Sequence, residues 1–146
     1  MTEIDLAIKN KIESSENILI ASHVRPDADA AGSLLGLGLS LMQAGKKVQM
    51  VLEDGADKFG YLPGSDLILI SAGGHADMVI VVDCSDPSRV GGALNNYGKP
   101  DLVVDHHKTN LEFGTYNVVE PDQVATACIL FDHMPDWGLS MDADVA

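Results

Sequence analysis

Positive charge is what this chain has least of. Nine Lys and Arg stand against 22 Asp and Glu, for a formal net charge of -13 at pH 7. The few cations are scattered, so no basic face would grip a nucleic-acid backbone by bulk electrostatics. A phosphate-bearing substrate would need a local source of positive charge, and metal ions are the obvious one. Cysteine is nearly absent: Cys84 and Cys128 lack any CxxC partner, which excludes a disulfide framework and points to a reducing compartment. Aromatic residues make up 5% against 46% hydrophobic residues, so the core is expected to be aliphatic, as in a buried parallel sheet. No apolar run approaches the roughly 20 residues of a membrane span. The segment Met1-Thr2-Glu3-Ile4-Asp5 has no basic region leading into an apolar one, so the expectation is a cytoplasmic protein with no membrane partner. No repeat or low-complexity tract divides the 146 residues, a length that suits one domain.

What is present is alternation. Ile4, Leu6, Ile8 and Ile12 among charges read as a short amphipathic helix, and Ile18-Leu19-Ile20-Ala21 as a strand. Ala30 to Ala44 reads as a helix whose glycines allow close approach to a sheet, with Gly45 as its stop. Val48 to Leu52, Met78 to Val82, Leu102 to Val104 and Tyr116 to Val119 read as strands, with Leu67 to Ile70 a short apolar run. Asp86-Pro87-Ser88 looks like the start of a helix to about Tyr97, and Gln123 to Met134 like a helix capped by Asp122. The fold class expected is α/β: an open, mostly parallel β-sheet flanked by helices on both faces, with ligands bound beyond the carboxyl ends of the strands.

Acids and histidines gather at those strand ends: His23, Asp27 and Asp29 after the first strand, Asp83 after the strand at 78–82, and Asp105-His106-His107 after Leu102-Val103-Val104. Oxygen ligands and imidazoles so gathered suit divalent cations. Each has a plainer alternative. Asp29 caps a helix opening at Ala30 and Asp27 makes an Asx turn; Asp83 forms a turn with Ser85-Asp86-Pro87. A carboxylate at the end of a buried strand is costly, however, unless paired or ligated. Arg25, Arg89 and Lys108 lie beside the motifs and serve either a substrate phosphate or only the solvated surface. Gly73-Gly74-His75 precedes a strand and reads as a turn; His133, late in a helix, is assigned to the helix dipole; Cys84 reads as a packing residue.

His-x-x-Pro-Asp-x-Asp-Ala-x-Gly-Ser from His23 to Ser33, the strand-end Asp83, and Asp105-His106-His107 together resemble the DHH phosphoesterase family. The Ala-x-Gly-Ser ending and Val-Val-Asp-Cys-Ser-Asp look like its RecJ-like and oligoribonuclease/pAp-phosphatase branch. The resemblance implies a phosphoesterase that uses metal-activated water on short oligonucleotides or small nucleotides such as pAp and linear dinucleotides. It implies His23 and Asp27 on one metal, Asp29 and His106 on the other, Asp83 bridging both, Asp105 orienting an imidazole and His107 facing the phosphate. Manganese is the expected ion, with magnesium or cobalt as substitutes. The family's fourth motif, another ligating Asp, is expected after a helix begun by Met141-Asp142-Ala143-Asp144. Residues 1–146 are thus expected to be a catalytic domain incomplete at its C-terminus, without the family's C-terminal substrate-binding domain, and prone to reduced activity and to homodimer formation. Competing functions are a non-catalytic nucleotide-sensing module, an inorganic pyrophosphatase and a single-strand DNA exonuclease.

Overall fold

The computed structural model describes residues 1–141, so the helix expected from Asp142 and Asp144 lies outside the described residues. Six strands form one sheet in the order β3-β2-β1-β4-β5-β6: β1 Asn17–Ala21, β2 Lys47–Val51, β3 Ile68–Leu69, β4 Met78–Val82, β5 Leu102–Asp105 and β6 Tyr116–Val119. Every pairing is parallel; Ile20, for instance, sits between Met50 of β2 and Ile80 of β4. β4 is buried along its whole length, which explains its unbroken Met-Val-Ile-Val-Val run.

The order reverses between β1 and β4, because the chain winds outward from β1 to β3 before crossing back to β4. That crossing opens a crevice beyond the carboxyl ends of β1 and β4, the usual ligand position in such sheets.

Three α-helices, α1 Glu3–Ser14, α2 Ala28–Gln43 and α3 Thr126–His133, cover one face. Ile8 and Ile12 of α1, Leu34, Leu37 and Leu41 of α2 and Ile129 of α3 pack there with Ile18, Ile20, Ile80 and Val104. α2 comes close to β2 because residue 38 is glycine; a Cβ there would collide with the Met50 side chain. Gly45 at φ 87° ends the turn that follows α2, in a conformation glycine adopts freely.

The opposite face has a thinner cover. Leu19, Val79, Val81 and Val103 meet Cys84, just beyond β4, and Val90 and Ala93, contributed by a 3-10 turn at Pro87–Val90 and the turns after it. The helix expected to run to Tyr97 is therefore not formed. Asp86 does cap the turn, accepting from the Ser88 amide at 2.9 Å, but Gly91 at φ 73° stops it. A side chain at 91 would strike Glu53, whose carboxylate accepts from the Gly92 amide at 3.0 Å. The helix expected from Gln123 likewise starts later, at Thr126, and Asp122 does not cap it. α2 starts earlier than expected, at Ala28, with Asp27 as its N-cap. Gly73-Gly74-His75 is a bend before β4, at the end of the sheet away from the crevice, with His75 2.6 Å from Asp77.

At the far end of α3, His133 ties three elements together. Its Nδ1 faces Asp5 Oδ1 of α1 at 2.9 Å and its Nε2 faces Glu120 Oε2 after β6 at 2.6 Å. Two carboxylate partners require both ring nitrogens to donate, so the ring is held as the imidazolium. Burial opposes that charge, but the bonds to Asp5 and Glu120 outweigh it and raise the His133 pKa. Burial would also raise the Asp5 pKa, yet hydrogen bonds from Trp137, His133 and Thr2 hold it down at about 2. Asp5→Ala would strand the buried Trp137 indole N–H, now 2.9 Å from Asp5, and one side of His133. Its expected cost is about 2–4 kcal/mol in a urea titration. Asp5, with its lowered pKa, contributes above its ordinary 3.8 and loses the contribution as pH falls toward 2. His133, with its raised pKa, contributes fully below its ordinary 6.5 and loses this as pH rises through its folded value. The gap between variant and unaltered chain is therefore widest between those two ordinary values.

Candidate metal centre

The strand ends converge. His23 follows β1 by two residues, Asp83 directly follows β4, and Asp105 is the last residue of β5. Asp27 and Asp29 come from the N-cap and first turn of α2, beside β1. His23, Asp27 and Asp83 offer donor atoms within 4.8 Å of one another, and Asp83, Asp105, His106 and His107 form a second such group. Asp83 belongs to both.

Asp83 is 1% exposed and sits at φ 56°, a left-handed conformation that aspartate tolerates better than most residues. Its amide is anchored on the Val104 carbonyl at 2.8 Å. Its two oxygens look in different directions. Oδ2 is 3.6 Å from His23 Nε2, while Oδ1 is 3.6 Å from His106 Nε2 and accepts from the Thr126 hydroxyl at 2.9 Å. A separation of 3.6 Å is too long for a hydrogen bond. It suits a pair of donors that share an ion, since two ligands each about 2.1 Å from one cation stand roughly 3–3.5 Å apart. Burial drives the Asp83 pKa up, and the charges of Asp29 and Asp27 add to it, against the facing His23 ring and the hydrogen bond from Thr126. The facing Asp83 carboxylate raises the His23 pKa in spite of burial. Such a pocket has an excess of buried negative charge for which a cation is the natural complement. Three carboxylates with two imidazoles are a donor set that suits divalent cations.

The plainer alternative gave the cap of α2 to Asp29 and an Asx turn to Asp27; instead both carboxylates cap helices, and the cap of α2 is Asp27. Asp27 caps α2 by accepting from the Ala30 amide at 2.9 Å. Asp29 caps a different helix, α3, whose own N-cap residue is Ala125. It accepts from the Thr126 and Ala127 amides at 2.9 and 3.1 Å, and from the Ser33 hydroxyl at 3.3 Å. Asp29 Oδ2 also lies 3.6 Å from His106 Nε2.

Asp105 is fully buried, with Oδ1 2.7 Å from His107 Nδ1 and Oδ2 accepting from Asn110 Nδ2 at 2.9 Å. The same Asn110 nitrogen donates to the Cys84 carbonyl at 3.1 Å. The Cys84 thiol is pushed up to about 11 by burial and packs beneath the sheet, as expected of a packing residue. A cleft lined by His23, Asp27, Asp83, Cys84, Ser85, Arg89, His107 and Thr109 opens over these groups. Of the three cations singled out, Arg89 lines that cleft. Arg25 and Lys108 are exposed and do not line it, and the Arg25 amide donates to Asp54 at 2.7 Å. Three residues of the site carry no motif: Thr109 and Asn110, four and five residues beyond Asp105, and Thr126. The only sequence signal for Thr126 is a polar residue between two alanines.

The sequence model for the DHH family, N-terminal domain, matches residues 17–144. A bifunctional oligoribonuclease and PAP phosphatase, NrnA, from Thermus thermophilus is 35% identical over 134 residues, which cover 88% of this chain and 40% of that protein. The crystal structure of an exopolyphosphatase-related protein from Bacteroides fragilis has the same fold, with a TM-score of 0.82 at 24% identity, over 94% of this chain and 46% of that one. The chain thus spans less than half the length of either relative. Among the described residues no helix is long and apolar enough to cross a membrane.

Proposed function

This chain belongs to the DHH family, and on that footing we propose that its cleft hydrolyses phosphate esters of short oligonucleotides or small nucleotides, with pAp and linear dinucleotides as first candidates. Asp83 carries the reading: a buried carboxylate whose two oxygens each face a different imidazole across 3.6 Å. In this proposal His23 and Asp27 hold one divalent cation, Asp29 and His106 hold a second, Asp83 lies between them, and manganese is the preferred ion. When bound, two such ions supply a water polarised for attack on phosphorus and positive charge for the phosphoryl oxygens.

The side chains set the rest. Asp27, Asp29 and Asp83 carry -3 against +4 from two divalent ions, which leaves +1 toward an anionic substrate, and Arg89 adds to it from the cleft wall. Asp105 fixes the His107 ring through Nδ1, so Nε2 is the nitrogen free to meet a phosphate oxygen or the leaving group. Ser85 and Thr109 offer hydroxyls along the same wall. The net charge of -13 favours small substrates over long nucleic acid, which would meet repulsion outside the cleft. The activities in the name of the Thermus thermophilus relative support the same substrate class.

The test is release of mononucleotide from a 5′-phosphorylated dinucleotide with added Mn2+, with pAp and pyrophosphate in parallel. Consumption of dinucleotide or pAp that stops on chelation is the expected result. Hydrolysis of pyrophosphate alone would replace this reading with a pyrophosphatase, and no turnover of any of the three at saturating Mn2+ would sink it for this chain.

A further inference from the structure

Thr126 is fully buried and joins two carboxylates that come from different elements. Its hydroxyl donates to Asp83 Oδ1 and its amide donates to Asp29 Oδ2, each at 2.9 Å. Those two oxygens are the very ones that face His106 Nε2, both at 3.6 Å. We propose that Thr126 is a positioning residue, which sets Asp29 Oδ2 and Asp83 Oδ1 as a matched pair opposite His106 so that the three atoms take one cation.

Lone pairs support the assignment. An ionised carboxylate has about four acceptor sites. At Asp29 three are engaged: Oδ1 by the Ser33 hydroxyl and the Ala127 amide, Oδ2 by the Thr126 amide. One site is left, and it is on Oδ2. At Asp83 the Thr126 hydroxyl takes one site of Oδ1 and leaves the other. Each oxygen that faces His106 therefore keeps one acceptor site, with its rotation fixed by the bond to Thr126. Without the hydroxyl, the Asp83 carboxylate is free to turn about its last torsion, which is a broad one. The amide bond would persist in any residue at 126, so the hydroxyl is the separable part.

The inference rests on the metal reading above and deepens it. Calorimetric titration of Mn2+ into Thr126→Val, Thr126→Ser and the unaltered chain tests it without reference to turnover. Valine keeps the shape and removes the donor; one cation site is expected to weaken by about 10–100-fold, the range for partners that orient a ligand. Serine keeps the donor and is expected to stay near the unaltered affinity. A valine variant that binds Mn2+ like the unaltered chain, or a serine variant as weak as valine, overturns the positioning role and leaves the metal reading standing. An unaltered chain that binds no Mn2+ overturns both. Amide exchange in the unaltered chain gives a second measurement that needs no variant. The Thr126 and Ala127 amides are expected to stay protected when Mn2+ is added, and exposure of both on binding would overturn the arrangement, since it would mean that Asp29 leaves them to reach the ion.

Discussion

Asp83→Asn is expected to raise the melting temperature of the metal-free protein while abolishing its response to Mn2+ and its turnover. The opposed directions follow from one fact. A carboxylate whose folded pKa is raised destabilises the folded state at every pH above that value, and burial with Asp29 and Asp27 nearby raises that of Asp83. Asparagine removes the charge, keeps an oxygen for the Thr126 hydroxyl and tolerates the left-handed backbone at φ 56°. A gain of about 1–2 kcal/mol is expected. The same change takes away the group common to both donor clusters. Turnover should fall by at least about 1,000-fold, equal to about 4 kcal/mol of lost barrier lowering. Melting curves with and without Mn2+, run beside the dinucleotide assay, check both halves. Unchanged Mn2+ stabilisation in the variant would remove Asp83 from the ligand set, and a lower metal-free melting temperature would mean that its charge is already compensated by the protein.

Asp105→Asn is expected to separate chemistry from metal binding. Both Asp105 oxygens are acceptors, one for His107 and one for Asn110. An amide can accept on one side only, so either Asn110 meets an NH2 group or His107 does. In the second case the ring is driven to carry its proton on Nε2, the reverse of the arrangement Asp105 imposes. A fall in kcat of about 100-fold is expected, with Mn2+ affinity and stoichiometry near those of the unaltered chain. A stability cost of about 1–2 kcal/mol should accompany it, because residue 105 is fully buried and one of its polar atoms loses its partner. Calorimetry decides the point: an Asp105→Asn chain that loses an ion would make Asp105 a ligand, and one that keeps full kcat would leave His107 without a role that depends on its orientation.

The centre of the sheet was legible because β1, β4 and β5 are buried on both faces and therefore read as short, unbroken aliphatic runs with acids or histidine just beyond or at their ends. What failed to be legible depends on distant partners. Pro87 with its Asp86 cap has every local mark of a helix start, and the helix ends within a turn because Glu53, from the far side of the crevice, occupies the space beside Gly91. α3 starts at Thr126 because its cap is Asp29, 97 residues earlier, and no window around 122–126 contains that carboxylate. The doubt over Asp27 and Asp29 had the same source. Capping and gathering at the cleft are done by the same carboxylates, so a local pattern could not choose between them. His133 was read as a partner of the helix dipole. It does lie in the last turn of α3, but the groups that hold it charged are Asp5, from the first helix, and Glu120, just past the last strand.

The crossing that places β4 beside β1 sets an order of assembly. Ser22, just beyond β1, bonds to the Val82 carbonyl across 60 positions of sequence, and the residues around these two points form the floor of the cleft. A nascent chain that has presented only His23, Asp27 and Asp29 has neither Asp83 nor His106, and Thr126 emerges later still. On the proposed metal reading, no early segment of the polypeptide therefore holds the full donor set. On that reading the donor set is complete only once β4 and β5 have joined the sheet beside β1, so the cations would be the last components to arrive.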